Sequence, residues 1–102
     1  MAVKELNGKD FEKEIGSKKG KVLVDCYATW CGPCKMLSPI IDAVAEEMKD
    51  YKFYKLDVDE NEDFDKEFGI MAMPTLLVFE DGKLAKRQTG FLSKDELIDF
   101  LK

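Results

Sequence analysis

The sequence predicts an α/β fold built on one mixed sheet with helices on both faces. Four stretches predict it. "KVLVDCYAT" (21–29) is apolar at nearly every position, as a central strand covered on both sides must be. Beyond it, Leu37, Ile40, Ile41, Val44, Ala45 and Met48 recur at helical spacing and form one buried stripe. A second strand follows, "KFYKLDVD" (52–59). A strand, helix and strand in that order make a parallel pair with a right-handed crossover. "TLLVFEDGKLAKRQTG" (75–90) then reads as an antiparallel hairpin with Asp81-Gly82 at its turn. A parallel pair and a hairpin together make a mixed sheet. At 102 residues the chain reads as one domain, 1–102, able to build a single core.

The remaining elements fill in the order. "NGKDFEKEI" (7–15) reads as a short first helix, with Asn7 or Asp10 near its start and Phe11 and Ile15 one turn apart. Glycine and lysines over 16–21 end it. The long helix runs from Gly32 to about Lys49, with Pro39 expected to kink it. "ENEDFDKEFG" (60–69) reads as a short acidic helix with Phe64 and Phe68 inward and Gly69 as its stop. "IMAMP" (70–74) is a loop. Ser93 and Glu96 form a capping box for the last helix, and Leu92 and Leu97 are spaced as a hydrophobic staple.

Composition narrows the function. The net charge is −5, the pI about 4.8 and 36% of residues are charged. Acids and bases are interleaved, with no Lys/Arg stripe to neutralise phosphates, so nucleic acid is not expected. No segment reads as a signal peptide, and no run reaches the roughly 18 apolar residues of a membrane span. The expectation is a cytoplasmic protein whose thiols meet a reducing pool. There is no histidine, which removes the commonest general base and transition-metal ligand.

All three cysteines lie in "VLVDCYATWCGPCKML" (22–37). Cys31 and Cys34 are three apart at a helix start, so their sulfurs share one face. Unpartnered first-turn amides and the helix dipole stabilise a thiolate there, below the ordinary thiol value of about 8.5. Pro33 fits an early helical position, where its missing N–H costs nothing. Cys31, nearer the end, is expected to be the exposed nucleophile, and Cys34, one turn in, the buried resolving thiol. Trp30 is expected to cover the pair. Cys34 needs a base, and Asp25 is the nearest candidate in sequence. C-x-x-C can also be half of a structural metal site, but only Cys26 remains to complete it, against the usual four soft ligands. No metal is therefore expected. Cys26 reads as a small buried hydrophobe, pointing away from Asp25 by strand alternation. Asp25 itself can also be read as an ordinary satisfied polar residue.

"VLVDCYATWCGPCK", "YKLDVDEN", "FGIMAMPTLLVFEDGK" and "TGFLSKDEL" together resemble the thioredoxin family in order and spacing, over nearly the whole chain. The resemblance implies the thioredoxin fold, a central mixed five-stranded sheet flanked by four helices. It implies a protein-disulfide reductase, since the Gly-Pro spacer is that of reducing members. It implies Cys31 as attacking thiol, Cys34 as its partner, Asp25 as proton acceptor and Lys55 as the lysine that tunes it. It implies that Trp30, Gly32, Pro33, Met73, Pro74 and Gly90 serve substrate binding, with Pro74 in a cis peptide and the Met73 backbone pairing with the substrate chain. No bound cofactor is implied beyond a Cys31–Cys34 disulfide. The implied partners are a thioredoxin reductase and disulfide-bearing proteins such as ribonucleotide reductase, peroxiredoxin and methionine sulfoxide reductase, met by a monomer. The chain departs from the family at Cys26, where Phe is common, at Tyr27, where Trp is common, and at Ala72, where Gly is common. A thiol–disulfide oxidase or isomerase, or a module that binds without electron transfer, are the alternative readings.

Overall fold

The computed structural model describes residues 2–102. Its sheet has five strands in the order β1-β3-β2-β4-β5: β1 (Val3–Glu5), β2 (Lys21–Tyr27), β3 (Tyr51–Asp57), β4 (Thr75–Glu80) and β5 (Lys83–Thr89). β3 runs parallel to both β1 and β2. β4 is antiparallel to β2 and to β5. The helices are α1 (Gly32–Glu47), α2 (Glu62–Phe68) and α3 (Lys94–Leu101).

The apolar run in β2 is explained by the two layers it serves. Val22, Val24 and Cys26 enter one core with Phe64 and Phe79, and Phe11 and Phe68 pack on it. Leu23 points the other way, into a core with Leu37, Ile41 and Val44 of α1 and Leu97 and Leu101 of α3. Pro39 lies inside α1; it lacks the N–H that would bond back one turn.

The N-terminal helix is less regular than its spacing predicts. A 3-10 turn over Gly8–Asp10 is followed by a wide π-type turn over Glu12–Gly16. Asn7, not Asp10, caps it by accepting the Lys9 N–H. Strand β1 has no local sequence signal: it is only three residues long, and pairing with β3 makes it a strand.

Local chemistry sets the other ends. Ser93 N–H donates to Glu96 Oε1 at 2.9 Å and Glu96 N–H donates to Ser93 Oγ at 3.2 Å, which completes the capping box. Gly69 closes α2 at φ 64°. Asp81 and Gly82 both have positive φ, 53° and 85°, as a two-residue hairpin turn of the type I′ kind requires. A Cβ on Gly82 would lie 2.1 Å from the Gly16 carbonyl oxygen, whereas one on Gly20, at φ 106°, meets nothing within 4 Å. Gly20→Ala should therefore cost only the backbone strain, about 1–2 kcal/mol. Gly82→Ala should cost roughly 1–2 kcal/mol more, because two backbones must separate. Urea unfolding of the two variants checks the order; equal losses would contradict the close approach.

Candidate redox site

Strand β2 ends at Tyr27, and the chain turns through 28–30 into α1. Cys31 N–H donates to the Ala28 carbonyl at 3.2 Å, which tightens this turn. Cys31 is then the N-cap of α1, with extended backbone at φ −90° and ψ 115°. Its sulfur accepts the Cys34 N–H at 3.2 Å. A sulfur thus fills the place a Ser or Asp oxygen takes at other helix starts. When Cys31 is reduced, the same N–H and the helix dipole favour its thiolate. Here Cys31 and Cys34 are joined in a disulfide, with Cα atoms 5.3 Å apart.

The two cysteines differ less in exposure than expected: Cys31 is 6% exposed and Cys34 4%. The cover over Cys31 comes from a distant part of the chain. Its sulfur lies 3.7 Å from the Met73 carbonyl oxygen, and Met73 packs on the same core cluster. Trp30 is 66% exposed, and its indole N–H donates to Asp59 Oδ2 at 2.8 Å. What separates the cysteines is the side they face. Cys34 lines a cavity of about 260 Å³ with Asp25, Tyr27, Thr29, Ser38 and Lys55; Cys31 is not among its walls.

Asp25 is 5% exposed, and its Oδ1 has no hydrogen-bond partner among the described residues. Burial, which penalises the charged form, pushes its carboxyl up to about 7; Lys55 opposes this, while Asp42 and Glu5 add to it. Lys55 stands opposite Asp25 in register across β2 and β3. Cys26 is fully buried on the opposite face, where burial raises its thiol further from ionisation.

The loop before β4 frames the other side. The Met73–Pro74 peptide is cis. Gly90, at φ 101°, donates its N–H to the Pro74 carbonyl at 2.8 Å. Arg87 on β5 donates to the Phe68 and Gly69 carbonyls at 2.8 and 3.2 Å, holding the start of the same loop. Gly32 and Pro33 are exposed beside the disulfide. Met36, Met71 and Phe91 went unassigned in the sequence; all three are exposed apolar side chains within two residues of Cys34, Met73 or Gly90. Their closeness to those positions was the available signal.

The thioredoxin family model matches residues 2–102. A thioredoxin of Mycoplasmoides gallisepticum is 43% identical over 98% of this chain and 100% of its own length. One from Bacillus subtilis is 41% identical over 95% of this chain and 92% of its own. Among solved structures, a mutant thioredoxin from Halobacterium salinarum superposes with a TM-score of 0.89 at 35% identity, covering 97% of this chain and 87% of that one. A five-stranded mixed sheet, a C-x-x-C at the start of α1 and these likenesses agree: the chain belongs to the thioredoxin family, whose members are thiol–disulfide oxidoreductases working through a disulfide of their own.

Proposed function

We propose that this chain is a cytoplasmic protein-disulfide reductase, a single domain over 1–102 that acts as a monomer. The Cys31 thiolate attacks a disulfide in a substrate protein, forms a mixed disulfide and releases one substrate thiolate. Cys34 passes its proton to Asp25 and attacks the Cys31 sulfur, releasing the second substrate thiolate. Two electrons reach the substrate, and the Cys31–Cys34 disulfide remains. A thioredoxin reductase restores the dithiol. Lys55 sets how readily Asp25 takes the proton. The observation that carries this reading is the Cys34 N–H aimed at the Cys31 sulfur at the start of α1. The cavity shared by Cys34 and Asp25 supports the direction of proton transfer, and it is roomy enough for a bridging water.

Substrates would lie across Trp30, Gly32, Pro33, Met73, Pro74 and Gly90, with the Met73 backbone as a pairing edge. The exposed apolar side chains Trp30, Met36, Met71 and Phe91 fit a protein rather than a small polar substrate. Ribonucleotide reductase, peroxiredoxin and methionine sulfoxide reductase are the substrate classes this reading favours. The test is a reduction potential together with insulin reduction. The expected potential is about −270 mV, the value typical of thioredoxins, with rapid precipitation of insulin chains. A potential above about −200 mV would move the protein among the oxidases and isomerases.

A further inference from the structure

Three ionisable side chains occupy one row across the sheet. Asp25 of β2 is in register with Lys55 of β3, and Lys55 is in register with Glu5 of β1. Paired residues in register share a sheet face. Val3 and Phe53, one alternation earlier on β1 and β3, point into the same core as Leu23 of β2. Lys55 is therefore in register with a carboxylate residue on each neighbouring strand. Glu5 does not float: the Tyr27 hydroxyl donates to both its oxygens, at 3.1 and 3.2 Å. Tyr27 also walls the cavity that holds Asp25 and Cys34.

We infer that Glu5 is a positioning residue of the redox site: held by Tyr27 at the end of the Lys55 row, its carboxylate opposes the pull of Lys55 on Asp25 and so helps keep the Cys34 proton on that carboxyl. This rests on the proposed role of Asp25. With Lys55 alone as neighbour, Asp25 would ionise more easily and hold the Cys34 proton less well. Glu5 offsets Lys55 by repelling the charged form of Asp25 along the row. Burial and the Asp42 carboxylate act in the same sense. The groups facing Asp25 are Lys55 from β3, Glu5 from β1, Tyr27 from β2, and Cys34, Lys35 and Asp42 from α1; β4 presents Leu76 in register. Of the carboxylates among them, Glu5 alone lies in the Lys55 row and is tied to a cavity wall.

The test is Glu5→Gln, which keeps an acceptor for the Tyr27 hydroxyl and removes only the charge. Two strand spacings put the Glu5 and Asp25 carboxylates roughly 10 Å apart. At that range a partly screened charge moves a titration by roughly 0.3–0.5 pH unit. In the oxidised protein, ¹³C-detected titration of the Asp25 carboxyl should shift downward by that amount at low salt, and by less in 1 M salt. Tyr27→Phe should move it the same way, and should add nothing in the Glu5→Gln background. An unmoved Asp25 midpoint in Glu5→Gln overturns the inference, whatever the variant does to thermal stability. Asp25→Asn tests the underlying role separately. If it leaves the second thiol exchange at full speed while Glu5→Gln still shifts the titration, the proton-acceptor role falls and the electrostatic row stands.

Discussion

Asp25→Asn should raise the urea midpoint of the oxidised protein at pH 8 and lower it at pH 4. The native carboxyl titrates at about 7 because it is buried, whereas in the unfolded chain it titrates near 3.9. Between those values the native state keeps a proton that the unfolded state has released. Stability therefore falls as pH rises through this window and is flat above it. Each pH unit between the two titrations is worth about 1.4 kcal/mol, so ionised Asp25 costs the fold on the order of 4 kcal/mol above pH 7. A buried Asn amide without a partner costs about 1–3 kcal/mol of its own. The net gain at pH 8 is thus about 1–3 kcal/mol, and the same variant should slow the second thiol exchange. An equal difference between variant and parent at both pH values would show that burial does not hold the proton on Asp25.

Cys31→Ser and Cys34→Ser should both abolish insulin reduction, by roughly three orders of magnitude or more, because each removes a sulfur that makes or breaks a bond. Their products should differ. Cys34→Ser retains the attacking sulfur and loses the one that resolves it, so it should accumulate a mixed disulfide at Cys31, about one substrate per chain. Cys31→Ser should trap nothing. Mass spectrometry of the non-reduced adducts separates the two. A Cys31→Ser protein that keeps its full biological activity would identify a binding module instead. Trapping by Cys31→Ser with none by Cys34→Ser would reverse the roles. Their near-equal exposure in the disulfide makes this a real choice, resting on which sulfur receives the helix-start N–H and which faces Asp25.

The parts of the fold legible in the sequence are those whose causes are local. Ser93 and Glu96 carry their own capping chemistry, and Asp81-Gly82 its own turn. The β2 run states outright that both faces are covered. Strand β1 was illegible because Lys4 and Glu5 are charged and exposed, and its strand character comes from pairing Val3 with Phe53. The N-terminal helix was legible as a helix but not as a 3-10 turn followed by a wide one. Within the site, Cys31, Cys34 and Asp25 stood out because a dithiol at a helix start and an acid in an apolar run are both costly. The cover over Cys31 did not, since Met73 lies 42 residues away. Charge clustering was equally hidden. Lys4, Lys13, Lys18, Lys49 and Lys52 are scattered in sequence, yet they line one cavity of about 690 Å³ in an acidic chain.

The placement of β2 bears on how the molecule signals its state. β3 and β4 flank β2 and hold it from Lys21 to Cys26, and the reactive pair hangs directly off its end. A redox centre on an edge strand can announce oxidation by letting that strand fray. One mounted on the middle strand has no loose neighbour to release. Breaking and remaking the bond between Cys31 and Cys34 therefore takes place at the end of a strand anchored on both sides, away from any free sheet edge.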